Sequence, residues 1–415
     1  MPSATGPEWE SYVAPGRCDI RSVPIYVFQR QVIYLDNNAT TRLSAHVAAT
    51  MNELMRLRLA NPSSQHSAGR QARQIVERAR ESILRNCGAR MHGMASDQLL
   101  FTSGGTESNN LAIFGLTESK PGVVVVSAIE HPSVLACAEY LSTHQRTVRY
   151  LPCDRNGVVQ LSALQQLLDE HRQGMEIAMV SIMLANNETG VLQPVATAAK
   201  WCREHGVLIH TDASQVLGKL TLDFASLDVD AMTITAHKLH GPVGIGGLVL
   251  KQGVQPSPQS FGGFQQLGLR PGTEMAVLCG GFEAAVLDSC PSIDERTRST
   301  QQLRESLETL IQASIDDCII NGRDASRLPH TLSISFPGVD RQALQLALDM
   351  AGIACSTGSA CASGSSQPSH VLQAMQLPDA VIRGGIRFSL SAENTSLDIE
   401  QTVEALRSIV PRLRK

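Results

Sequence analysis

Short, continuously apolar runs recur through the middle of the chain. They are Val123-Val124-Val125-Val126, Ala178-Met179-Val180-Ser181-Ile182, Val207-Leu208-Ile209, Ala231-Met232-Thr233-Ile234 and Gly247-Leu248-Val249-Leu250. Each is too short for a helix and most are rich in β-branched residues, so each reads as a buried strand. Helical stretches separate several of them, including 193–205. A strand apolar at every position is covered on both faces. Alternation of such strands with helices predicts an α/β fold built on a mostly parallel sheet, with helices on both faces. From about residue 291 the pattern changes. A charged helix over 294–312, an alternating strand Thr331-Leu332-Ser333-Ile334-Ser335-Phe336, a helix over 340–351 and a strand over 386–389 predict a smaller α+β domain.

Composition narrows the picture. With 415 residues, 43% of them hydrophobic, the chain can bury one large core and a smaller one. A net charge of −4 and few aromatic residues argue against a nucleic-acid surface. No apolar run is long enough to span a bilayer. Residues 1–31, with Pro2, Pro7, Pro15 and Pro24, lack the basic-then-apolar order of a secretory signal and read as a loose extension. The ten cysteines are scattered without a Cys-x-x-Cys pair, so no metal site is expected. Without an export signal, the thiols are expected to be reduced, in a cytoplasm.

Two of the strands end in chemistry. The run from Ala231 continues as Thr235-Ala236-His237-Lys238 and turns at Gly241-Pro242. A lysine at the end of a buried strand suits an amine that forms a Schiff base from a desolvated position. The run from Val207 continues as His210-Thr211-Asp212-Ala213-Ser214-Gln215. A lysine for the aldehyde and an acid for the pyridine nitrogen are the two groups that pyridoxal 5′-phosphate (PLP) asks of its protein. Leu99-Leu100-Phe101-Thr102-Ser103-Gly104-Gly105-Thr106 reads as strand, glycine turn and helix start, a natural phosphate site.

One cysteine stands apart. Cys361 lies in Ser356-Thr357-Gly358-Ser359-Ala360-Cys361-Ala362-Ser363-Gly364-Ser365-Ser366, small and polar residues that cannot make a packed core. A thiol there is expected to reach a substrate and then an acceptor. Cys355, after Gly352-Ile353-Ala354, is expected to end a strand and pack.

Taken in order, these motifs resemble the cysteine desulfurases of the nitrogen-fixation and iron–sulfur-cluster type, in the class V aminotransferase group of fold-type I PLP enzymes. The matching segments include Asp36-Asn37-Asn38-Ala39-Thr40-Thr41, Asn61-Pro62-Ser63-Ser64-Gln65-His66, Glu130-His131, Ala185-Asn186-Asn187-Glu188-Thr189-Gly190, Arg270-Pro271-Gly272-Thr273, Gly358-Ser359-Ala360-Cys361 and Ile386-Arg387-Phe388-Ser389. They run from about residue 33 to the C-terminus. The resemblance implies a large PLP-binding domain over 42–290 and a small domain made of 32–41 and 291–415.

The resemblance also implies roles. Lys238 would hold PLP and move the substrate α-proton, Asp212 would pair with the ring nitrogen, and His131 would stack on the ring. Gln215 would hydrogen-bond the phenolic oxygen, and Asn187 would sit beside cofactor and substrate. Gly105, Thr106, Thr235 and His237 would hold the phosphate, with Thr273 arriving from a second subunit of a homodimer. Arg387 would clamp the substrate carboxylate, assisted by Asn38. Cys361 would take sulfur from L-cysteine as a persulfide, leaving alanine, and pass it to an acceptor protein or thiol. The chain departs from the family pattern at Val243 and over Phe264-Gln265-Gln266-Leu267, which touches none of these roles. A selenocysteine lyase or a catalytically silent assembly scaffold would share the fold. Substrate comparison separates the first, and the presence of Lys238, Asp212 and Cys361 together argues against the second.

Overall fold

The computed structural model describes residues 32–91, 96–358 and 367–414. The expected N-terminal extension and Cys361 lie outside the described residues. A short strand, β1 (Ile33–Tyr34), precedes the central sheet. That sheet holds β2 (Gln98–Thr102), β3 (Val123–Ser127), β4 (Val148–Leu151), β5 (Ile177–Ser181), β6 (Leu208–Asp212), β7 (Ala231–Thr235) and β8 (Gly246–Leu250), in the order β2-β8-β7-β6-β5-β3-β4. Only β8 runs against its neighbours. The reason is the length of its connection. Residues 236–245 are too few for a crossover helix, so β8 returns beside β7 as an antiparallel partner.

Burial on both faces follows from side-chain alternation along each strand. In β3, Val124 and Val126 pack with Leu111, Leu116, Val134 and Ala138 from helices Gly105–Thr117 and Pro132–Thr143. Val123 and Val125 face the other way, into a core shared with Val76 and Ile83 of Ser67–Asn86 and Ala198 and Cys202 of Val195–Glu204. Each such valine or isoleucine contributes about 1.5–3 kcal/mol relative to exposure. The helix expected over 193–205 starts later, at Val195. The Gln193 side chain is taken up by Val159 N and the Gly157 oxygen, and Pro194 sits at the cap.

A third core is distinct. β9 (Ile319–Ile320), β10 (Thr331–Ser335), β11 (Ile353–Ala354) and β12 (Gly385–Ser389) supply it, with β9, β10 and β12 forming an antiparallel sheet and β1 pairing in parallel with β11. Leu35 packs here with Leu307, Ile334, Phe336, Leu344, Phe388 and Leu406. Residues at the start of the chain and near its end thus share one core. Among the described residues, no single helix is long and apolar enough to cross a membrane.

Candidate active site

The carboxyl ends of β6 and β7 form the floor of a cavity of about 460 Å³, lined by Asp212, Thr235, His237 and Lys238. This is where ligands sit in open α/β sheets, and the volume falls in the ligand-binding range. The strand register fixes the floor, with Asp212 opposite Thr233 and with Thr235 and Thr102 both opposite Gly246. Gly246 is needed there, because a Cβ would meet the Gly104 backbone at 2.8 Å. Its absence lets the turn before helix Gly105–Thr117 close over the sheet edge. Gly104 itself has φ 154°, a conformation glycine adopts readily. The free N–H groups of that helix start, with Gly105 and Thr106, thereby line the cavity.

Asp212 is held from two sides. Ser214 N donates to Oδ1 at 2.9 Å, and Asn109 Nδ2 donates to Oδ2 at 2.8 Å. Asn109 Nδ2 also reaches Ser133 Oγ at 2.8 Å, and Ser133 Oγ lies 2.8 Å from His131 Nδ1. His131 caps helix Pro132–Thr143, and its Nδ1 accepts from Ser133 N at 3.2 Å. A backbone N–H can only donate, so Nδ1 is the acceptor and a neutral ring carries its proton on Nε2. Burial lowers the His131 pKa below the ordinary imidazole value, which favours that neutral form. His237 is pushed down to about 4 by burial and by the charges of Lys238 and Lys219.

Lys238 sits in a single 3₁₀ turn after β7 (Ala236–Lys238). Its Nζ donates to the backbone oxygens of Asn38 at 2.5 Å and Ala39 at 2.6 Å. Asn38 is a junction. Its oxygen also accepts from Gln215 Nε2 at 3.1 Å, its Nδ2 donates to Thr331 Oγ1 at 2.9 Å, and its Oδ1 meets buried His330 Nε2 at 2.8 Å. The turn after β1 therefore reaches the lysine of the large sheet and the strands of the small one.

Arg387 lies in the middle of β12, 1% exposed, and lines the same cavity. Its Nη2 pairs with Asp36 Oδ1 at 2.6 Å, and its Nη1 donates to the Asn187 backbone oxygen at 2.9 Å. Its Nε is buried without a hydrogen-bond partner. An orphaned guanidinium N–H beside a cavity is a site for an anionic ligand group. Gly358 and Gln367, which flank residues 359–366, both line this cavity. Ser356 and Arg387 exchange backbone hydrogen bonds, N to O at 3.1 and 2.6 Å, and fix one flank. Arg341 Nη2 donates to the Gln367 oxygen at 2.5 Å and fixes the other. Cys355 is buried as expected, and burial pushes its thiol up to about 12.

The structure thus gathers Asn38, Gly105, Thr106, His131, Asn187, Asp212, Gln215, Thr235, His237, Lys238 and Arg387 around one cavity. Thr273 is exposed and does not line it. Asn109, Ser214, Lys219 and Asp36 escaped the sequence reading, since each acts by contact with a residue distant in the chain or one turn away. Val243 and Phe264 are 73% and 95% exposed. Gln266 instead caps the edge strand, its Oε1 accepting from Phe101 N at 2.6 Å and its Nε2 donating to Phe101 O at 2.8 Å.

This donor set fits PLP. A helix N-terminus with Gly105 and Thr106 suits the phosphate, and a Cβ on Gly105 would come within 3.3 Å of Ser214 Oγ on the far side of that cradle. A pinned carboxylate suits a protonated ring nitrogen, and Lys238 suits an aldehyde.

Comparison with known proteins agrees with this geometry. The family described as Aminotransferase class-V matches residues 33–402. Cysteine desulfurase NifS of Azotobacter vinelandii is 37% identical over 384 residues, which is 92% of this chain and 93% of that protein. A cysteine desulfurase of Bradyrhizobium diazoefficiens is 40% identical over 389 residues, 93% of this chain and 96% of its own. Among solved structures, a NifS-like protein from Rickettsia africae superposes with a TM-score of 0.83 at 32% identity, covering 92% of this chain and 99% of that one.

Proposed function

The chain belongs to the class V aminotransferase family, and from that premise we propose that it is a PLP-dependent cysteine desulfurase, converting L-cysteine to L-alanine with transfer of sulfur to Cys361. The observation that carries this reading is the meeting of Lys238, Asp212 and Arg387 at one cavity whose wall includes both flanks of the Cys361 segment. The relatives named cysteine desulfurase support it.

Lys238 would hold the aldehyde of PLP and Asp212 the ring nitrogen, with His131 against the ring and Gln215 Nε2 at the phenolic oxygen. Gly105, Thr106, Thr235 and His237 would take the phosphate, joined by Thr273 of a second copy of this chain. Bound PLP supplies an electron sink for charge developing on the substrate α-carbon. Arg387, which lines the cavity, would hold the substrate carboxylate, with Asn38 and Asn187 fixing the wall beside it. Lys238 Nζ would take the α-proton. The Cys361 thiolate attacks the substrate sulfur, so an S–S bond forms and the C–S bond breaks. The electron pair of that bond stays with the β-carbon, which takes a proton, and with the α-proton returned by Lys238 the product leaves as alanine. The persulfide sulfur passes to a thiol or an acceptor protein of iron–sulfur assembly. The separate core around Leu35 and Phe388 supports a small domain of residues 32–41 and 291–415.

The test is incubation of the purified protein with L-cysteine or L-selenocysteine. Alanine release from cysteine, with 32 Da added to the peptide holding Cys361, is expected; alanine from selenocysteine alone would overturn the substrate assignment. Sedimentation should give a homodimer, and an active monomer would remove Thr273 from the phosphate site.

A further inference from the structure

A second lysine stands one turn beyond Gln215 and reaches the site through it. Lys219 Nζ donates to Gln215 Oε1 at 3.0 Å, while Gln215 Nε2 donates to the Asn38 oxygen at 3.1 Å. These partners decide which end of the amide is which. A peptide oxygen only accepts, so Nε2 must face Asn38, and Oε1 is left to accept from Lys219 Nζ. The amide orientation is therefore imposed by its neighbours.

Lys219 has no other assignment in the structure. It makes no ion pair among the described residues. Its charged neighbours are the cations Lys238 and Arg387, and desolvation lowers the pKa of the nearby His330 and His240. Burial, and then those two cations, hold its pKa well below the ordinary lysine value. It lines a second cavity of about 40 Å³ behind Lys238, and its backbone oxygen accepts from Thr297 Oγ1 at 2.8 Å. Charged or neutral, the amine remains a donor. Gln215 is its one hydrogen-bond partner for Nζ among the described residues. Placing a half-buried lysine among cations costs free energy, which its single hydrogen bond to Gln215 offsets in part.

We propose that Lys219 is a positioning residue, locking the Gln215 amide so that an N–H, and not an oxygen, meets the phenolic oxygen of the bound cofactor. An inverted amide would set its oxygen against both the Asn38 oxygen and that phenolic oxygen, acceptor against acceptor. The inference rests on the PLP reading above and adds a residue to it.

The test uses apoprotein titrated with PLP and reads the wavelength of the visible absorption band and the dissociation constant. K219M keeps the chain length and removes the donor. It should shift the band and weaken binding about 10-fold, as loss of one buried hydrogen bond implies. Q215L should do the same, and the double variant should be no worse than Q215L alone. If K219M matches the wild type, or its effect persists in full on the Q215L background, the proposal falls. Should K219M not fold, K219R is read instead. It keeps a donor and should hold the wild-type band, and a shift as large as that of Q215L overturns the proposal. A wild-type protein with no PLP band would instead overturn the cofactor reading itself.

Discussion

Asn109 and Asp212 meet at 2.8 Å, amide nitrogen to carboxylate oxygen, although 103 residues separate them in the chain. The contact ties helix Gly105–Thr117, whose start suits a phosphate, to the acid at the end of β6. Two of the anchors proposed for the cofactor are thus set relative to each other by a single amide.

Asn109→Ala should uncouple them. Removing the donor leaves the Asp212 oxygen short of one charge-assisted hydrogen bond, a loss of about 1.5–3 kcal/mol. PLP affinity, followed by the visible band of the bound cofactor, should fall about 10- to 100-fold. The helix should remain formed, because its buried apolar side is untouched. Unchanged affinity would show that Ser214 N alone suffices to hold the carboxylate.

Lys238→Ala should abolish both the visible band and alanine release while leaving a folded protein. The lysine lies at the end of β7, and the apolar run of that strand does not depend on it. Alanine release at the wild-type rate would remove Lys238 from the reaction.

The strands that lead to Lys238 and Asp212 were legible because each opens on a short apolar run and closes on polar residues. Nothing local marks the sheet order or the pairing of Arg387 with Asp36, which joins residues 351 apart. Asn109 was in plain sight, three residues beyond the motif that ends at Thr106. Its partner was not, because a helix-borne amide looks the same whether it faces water or a carboxylate. Lys219 was hidden for the opposite reason, since a lysine seven residues past a strand end is ordinarily solvated.

Cys361→Ser should still bind PLP and give almost no persulfide, whereas Cys355→Ser should keep most activity. Burial holds the Cys355 thiol at about 12, so it supplies almost no thiolate near neutral pH. Mass analysis after incubation with cysteine reads both variants. A persulfide on Cys355 would reverse the assignment.

Glu130 carries a pH dependence of stability. Burial pushes its carboxyl from the ordinary 4.5 up to about 8, against the lowering effect of hydrogen bonds from Ser127 Oγ and Met183 N, each 2.6 Å from Oε1. The folded protein therefore binds a proton that the unfolded chain releases. The resulting stability is complete below about pH 4.5 and is lost as pH rises toward 8. Glu130→Gln should remove that loss, so its thermal midpoint should gain a few °C on the wild type between pH 5 and pH 8. Parallel midpoint curves for the two proteins would rule this out.

The order in which the chain leaves the ribosome bears on all of these residues. β7 and β8 are joined by residues 236–245, so Lys238 finds its place once two neighbouring stretches pair. The guanidinium of Arg387 has to wait. Its strand is the last among the described residues, and the aspartate it meets is made 351 residues earlier. A nascent chain that stops short of β12 can hold the lysine and the aspartate of the large sheet, yet it lacks the arginine proposed for the substrate carboxylate. On that proposal, substrate recognition waits for β12 long after the cofactor anchors are made.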